Sequence, residues 1–136
     1  MAPDLFAFAS AVVPLKNLPQ LEFAQFRAAL LEEIADNARI ASFFGRPTPA
    51  GLELFAVLAH DWQGELALLR TCIGDSYPAL TPECPQLHLF ERELAEQFGV
   101  LPEGHPWLKP VRFHRSWVEC ADIWGRDSRQ HPIPGD

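Results

Sequence analysis

Five residues with acid–base chemistry fall close together in this 136-residue chain: His88, Glu91, Glu93, Glu96 and His105. Glutamate and histidine in one cleft are the usual means of moving protons, and histidine with carboxylate or thiolate is a usual metal donor set. Cys84 and His88, four apart, form one half of a metal site. The pattern stops there. No CxxC or HExxH spacing follows, and no nucleophile has a base placed beside it. The expectation is therefore no catalytic residue and no metal ligand in the chain. A small Glu/His metal-dependent hydrolase is the alternative from a different class.

These residues lie on a predicted helix over about 85–98. Stepping at 100° per residue puts Leu87, Phe90, Leu94 and Phe98 in one apolar stripe. Arg92 and Glu96 fall opposite, four apart, as a surface pair. Glu93 is also off the stripe. Glu91 lies on the apolar side, where an unpaired charge would cost several kcal/mol. It is expected to tie the helix to the Gly104-His105 turn, with Arg112, His105 or the backbone N–H groups of that turn as partners. Gly99 is the expected left-handed terminator.

The rest of the chain must hold this helix. Asn17 with Gln20, or Pro19, is expected to start a first helix with Phe23, Phe26, Leu30, Leu31 and Ile34 at helical spacing, ending at Asp36-Asn37. Three strands follow: 38–44, stopped by Gly45-Arg46-Pro47; 52–60; and 65–73. Asp61-Trp62-Gln63-Gly64 joins the last two as a hairpin loop. Both later strands are apolar on both faces, as in a sheet covered on both sides or one that lies under helices and a partner. Extended chain is expected around 6–13, and a short strand at 111–114. Thr81-Pro82 reads as a hydroxyl cap followed by proline at a first helical position. Helix, three strands, helix gives an α+β fold: a small mixed or antiparallel sheet of three to four strands with two main helices.

The formal net charge of −7 argues against nucleic acid as a partner, since phosphate needs clustered Lys and Arg. No apolar run is long enough to span a bilayer, and residues 1–13 lack the basic start of a signal peptide. Three cysteines at wide spacing, Cys72, Cys84 and Cys120, read as free thiols.

Glu91-Arg92-Glu93, then Glu96, Phe98-Gly99 and Gly104-His105-Pro106, resembles the signature of the 30 kDa subunit of respiratory complex I. The likeness covers about residues 20–115. The wording Tyr77-Pro78, Thr81-Pro82, Cys84-Pro85-Gln86 and Pro106-Trp107-Leu108-Lys109-Pro110-Val111-Arg112-Phe113 is more similar to the version fused to, or partnered with, the large subunit of group 4 nickel–iron hydrogenases of the formate hydrogenlyase type. The complex I subunit usually continues into Pro-Leu-Arg-Lys-Asp. Here the tail reads Gly125-Arg126-Asp127, which favours the hydrogenase branch.

The resemblance implies a non-catalytic module of an electron-transport complex, on the cytoplasmic side in the peripheral arm and reaching the inner membrane only through the complex. It implies docking on the hydrogenase large-subunit domain, with an iron–sulfur small subunit in the same assembly. The nickel–iron centre and the clusters would lie in those partners, because this chain lacks the paired CxxC thiolates and the four cysteines they need. An authentic complex I subunit of an NADH:quinone oxidoreductase is the nearer alternative. Residues 1–136 are expected to form one domain, with a core over about 17–115 and a tail over 116–136 leading to a hydrogenase large-subunit domain. Trp107, Lys109, Arg112, Trp117 and Trp124 are the candidate docking residues; core packing is the competing role for each tryptophan.

Overall fold

The computed structural model describes residues 6–8, as backbone, 12–111, 116–118 and 123–124. The fold is α+β, as expected, and the chain divides into two compact units, Met1–Ile73 and Gly74–Asp136.

In the first unit, strands β1 (Phe6–Phe8) and β2 (Gln20–Leu21) precede helix α1 (Phe23–Ala35). Strands β3 (Arg39–Thr48), β4 (Gly51–His60) and β5 (Glu65–Ile73) then run as an antiparallel meander. β1 pairs antiparallel with the start of β5 and β2 pairs parallel with its end, so both share the edge of β5 away from β4. The sheet is thus four strands wide and mixed.

Asn17 does not start α1; it lies in a single 3-10 turn over Leu15–Asn17. Glu22 is the cap, in a reciprocal box with Gln25. A carboxylate there meets the partial positive charge of the helix start. α1 buries Phe26 and Leu30 completely, and Phe26 lies 6.3 Å from the Phe43 ring of β3. Phe23, Leu31 and Ile34 of the expected stripe are only half-buried.

β3 continues through Gly45 and Pro47, where the sequence predicts its end. Pro47 pairs with Leu52 next to the turn, on the outermost strand, where its missing N–H breaks no ladder. Alternation along β5 then fixes the core face. Ala67, Leu69, Thr71 and Ile73 are buried, whereas Leu66, Leu68 and Arg70 are half-buried. Across the sheet on that second face, Phe44 remains 46% exposed and stacks on half-buried Phe55. This face is therefore only partly covered by the described residues. The four-residue loop over 61–64 is present, with Gly64 at a positive φ of 67°.

The second unit holds a parallel pair, β6 (Ser76–Pro78) with β7 (Leu101–Glu103), and helix α2 (His88–Phe98) preceded by a 3-10 turn at Pro85–Leu87. The strand expected at 111–114 falls, beyond Val111, outside the described residues. No helix among the described residues is long and apolar enough to cross a membrane.

Candidate functional site

α2 carries the acid–base residues. Its stripe is only half as expected: Leu87 and Leu94 are buried, but Phe90 and Phe98 are half-buried. The completely buried positions include two carboxylates, Glu91 and Glu96.

Glu91 is the internal tie, but to a different loop. Its carboxylate accepts from the Leu80 amide at 3.0 and 3.1 Å, from the Thr81 amide at 2.7 Å and from the Thr81 hydroxyl at 2.5 Å. The partners lie before the helix, not at Gly104-His105 or Arg112, and Arg112 is outside the described residues. The Thr81-Pro82 turn does form, with the Glu83 and Cys84 amides donating to the Leu80 carbonyl. Its hydroxyl points to Glu91 instead of capping a helix. Hydrogen bonds to a charged carboxylate are roughly twice as strong as neutral ones, which offsets part of the cost of burying it.

Arg92 and Glu96 are not a surface pair. Arg92 is 8% exposed, and its guanidinium donates to the Lys109 carbonyl at 2.7 Å and the Pro110 carbonyl at 2.9 Å. The Glu96 carboxylate accepts from the Val111 amide at 2.8 Å. The physical reason is local composition. Pro106 and Pro110 leave the loop after β7 with few amides for pairing with itself, so its carbonyls and remaining amides are satisfied by side chains from α2. Glu93 is half-buried and also has an interaction within the chain.

Gly99 closes the helix at φ 67°, as expected. The last carbonyls of α2 are met by the Ser116 hydroxyl, 2.7 Å from the Glu96 carbonyl, and by the Val118 amide, 3.3 Å from the Gln97 carbonyl.

Gly104 (φ 80°), His105 and Pro106 turn the chain towards the start of α2. His105 Nδ1 accepts from the Trp107 amide at 3.1 Å, and its Nε2 lies 3.1 Å from the His88 carbonyl. An amide needs an acceptor and a carbonyl needs a donor, so only the neutral ring with its proton on Nε2 satisfies both. Burial, first, holds the His105 pKa below the ordinary histidine range, with the His88 and Arg92 charges acting in the same direction; the His88 carbonyl and Glu91 oppose them. Tyr77, 2% exposed, is pushed well above the ordinary tyrosine range by burial and then by the Glu91 charge and hydrogen bond. Burial also pushes the Cys84 thiol up, against backbone hydrogen bonds involving Gln86 and Leu87.

Above this framework stands Trp107, 53% exposed. The Arg92 guanidinium and the Lys109 ammonium each lie 5.0 Å from its ring centroid, and the His88 ring lies 5.9 Å away. Trp117 is 74% exposed and Trp124 is half-buried.

Among the described residues no cluster of three His, Cys, Asp or Glu side chains is arranged to hold an ion. Leu80 and Thr81 are the partners of Glu91 that the sequence does not reveal. The available signal was Thr81-Pro82, which looked like a helix start.

The family model of the respiratory-chain NADH dehydrogenase 30 kDa subunit matches residues 21–128. The chain belongs to that family. The match to the 30 kDa subunit runs through both compact units and contains the whole of α2 and its supporting loops. No curated protein matches the chain by sequence. As a 30 kDa subunit-like domain it is a component of complexes of the NADH dehydrogenase type.

Proposed function

We propose that this 30 kDa subunit-like domain is a non-catalytic assembly module of a membrane-associated, energy-converting nickel–iron hydrogenase of group 4, the formate hydrogenlyase type. It docks on the large, catalytic subunit in the cytoplasmic peripheral arm. The nickel–iron centre and iron–sulfur clusters belong to that subunit and its small partner.

One observation carries the module reading. Three charged residues of the signature, Glu91, Arg92 and Glu96, are spent on the backbone of the chain's own loops. A carboxylate held by two amides and a hydroxyl at the bottom of a fold has no access to substrate. What this framework presents outward is Trp107 and Lys109, with Trp117 exposed nearby in sequence. The hydrogenase branch is supported by the wording at Tyr77–Gln86 and Pro106–Phe113 and by the tail at Gly125.

The family description itself favours a second reading, an authentic subunit of an NADH:quinone oxidoreductase. Affinity purification from the source cell in mild detergent separates the two. Recovery of a nickel–iron large subunit with its iron–sulfur partner supports the hydrogenase branch. Recovery of NADH-oxidising subunits moves the protein to complex I. One tightly bound metal per purified chain would overturn both in favour of a hydrolase.

A further inference from the structure

The hairpin loop between β4 and β5 carries Trp62, which is 98% exposed. An indole left in water adds nothing to the chain's own packing, although tryptophan has among the most to gain from burial.

The loop beneath it is firmly built. The Gln63 and Gly64 amides both donate to the His60 carbonyl, at 3.1 and 3.0 Å. The Arg39 guanidinium of β3 donates to both oxygens of Asp61, at 2.9 and 3.0 Å. His60 in turn meets the Glu33 carboxylate of α1. The indole is thus presented where the ends of α1, β3, β4 and β5 are tied together.

Charge at this end of the first unit is one-sided. Glu32, Glu33, Asp36, Asp61 and Glu65 stand against Arg39 alone, and Arg39 is taken by Asp61. Glu32 and Asp36 are exposed and form no ion pair among the described residues. The first Lys or Arg of the sequence is Lys16, so residues 1–11 bring no basic side chain. α1 ends here with no basic residue in its last turn. The negative end of a helix dipole favours cations, so acids at that end cost the isolated chain stability.

We propose that Trp62 is a contact point for a partner subunit, and that the segment it receives is basic, with an arginine laid on the face of the indole. The proposal rests on the assembly reading above and names the chemistry of one contact in that assembly.

The charge decides between occupants. Nucleic acid or an anionic lipid surface would be repelled by Glu32 and Asp36. A second copy joined two-fold at this tip would set the same acids against each other. A guanidinium is attracted. Its plane stacks on indole while its edge donates to a carboxylate alongside. It would also supply the cation that the end of α1 lacks. Because the loop backbone is already held, less ordering is needed at binding, and tryptophan is among the residue types enriched at interface hot spots.

The test uses the full chain in its native complex, with thermal unfolding of each purified variant as the check on folding. Trp62→Ala is expected to leave the melting temperature unchanged and to lower recovery of partner subunits about tenfold. Trp62→Phe, which keeps a weaker ring face, is expected to fall between the two. Glu32→Lys combined with Asp36→Lys is expected to lower recovery, and wild-type recovery is expected to fall as salt rises. A photo-crosslinking amino acid in place of exposed Gln63 is expected to capture a partner peptide with an arginine close to the crosslinked position. Recovery unchanged by Trp62→Ala would overturn the proposal. So would a crosslink to a second copy of this chain or to a peptide without arginine. Where Trp62→Ala fails to fold, the Gln63 crosslink decides by the same criteria. An intact complex without any Gln63 crosslink rejects this contact and leaves the assembly reading standing. Recovery of no partner by the wild-type chain rejects the assembly reading, and this proposal with it.

Discussion

The Thr81 hydroxyl donates to Glu91 Oε1 at 2.5 Å, joining the turn after β6 to the first turns of α2 inside the protein. Together with the Leu80 and Thr81 amides it gives the carboxylate four contacts in a position closed to solvent.

Replacing Glu91 with glutamine therefore removes a charge from amide partners and turns an NH2 group towards donors. The expected loss is about 2–4 kcal/mol, above the roughly 1.5–3 kcal/mol of a single charged hydrogen bond because several donors lose their acceptor. Glu96→Gln, a harmless surface change on the helical wheel, is expected to cost about 1–2 kcal/mol now that the Val111 amide depends on it. Thermal and denaturant unfolding measure both. A cycle of Glu91→Gln with Thr81→Val should show a coupling of about 1 kcal/mol or more, since the two side chains are in direct contact.

The difference between expectation and structure here has a physical origin. Glu91 stood out because a charge interrupted an apolar stripe, and that inference survives. Its partner did not stand out, because loops before and after the helix are similarly close in sequence. Arg92 and Glu96 were misplaced because helical periodicity assumes an apolar environment on the buried side. Here the buried side is partly loop backbone, which prefers a guanidinium or carboxylate to a leucine. Strands β4 and β5 and their four-residue hairpin were legible because strand alternation and turn residues agree there. β3 was cut short because Gly45 and Pro47 break strands in the middle of a sheet but not at its outer edge.

Arg92→Lys should behave as a severe change. A lysine ammonium cannot span the Lys109 and Pro110 carbonyls in parallel or stack its plane on indole. The expected cost is about 1–3 kcal/mol, with a red shift and greater quenching of Trp107 fluorescence. A Trp107→Phe background identifies the tryptophan responsible. An unchanged spectrum would mean that Arg92 does not hold the ring.

His105 gives the stability a defined pH dependence. Its folded pKa is below its unfolded value, so the unfolded chain takes up the proton first. Its contribution is intact above the unfolded value of about 6.5 and is lost as pH falls towards the folded one. Wild-type stability minus that of His105→Gln should therefore shrink as pH is lowered from 7 into this range. Because the proton would enter at Nδ1, acidification should also lower the protection factor of the Trp107 amide, with the intrinsic slowing of exchange at lower pH divided out. A pH-independent difference would contradict the neutral-ring assignment.

Cys84 should be inert in the folded chain. It is 1% exposed and burial disfavours its thiolate, so a thiol reagent should label it only on unfolding, while half-buried Cys72 reacts sooner. The contribution of the raised thiol pKa is complete below the unfolded value of about 9 and is lost as pH rises from there through the higher folded value. Mass-resolved labelling at neutral and alkaline pH reads both effects.

Gly51 begins β4 at φ 139°, and a Cβ placed there would lie 2.3 Å from the Ile73 carbonyl oxygen. Gly51→Ala is expected to destabilise by about 2–4 kcal/mol, combining an unfavourable φ with a clash against backbone. A melting temperature within a degree or two of wild type would show that the hairpin end can move aside.

The ties made by Glu91, Arg92 and Glu96 all close short stretches of chain, from 10 residues for Thr81–Glu91 to 18 for Arg92–Pro110. By contrast, β2 meets β5 across about fifty residues. Contacts near in sequence form with little loop-closure entropy and early in folding. During synthesis the signature segment can lock into shape soon after Val111 leaves the ribosome, without waiting for a partner. The Trp107 loop is then set early, and a chain that has lost Glu91 or Arg92 should order that loop late, after the rest of its fold.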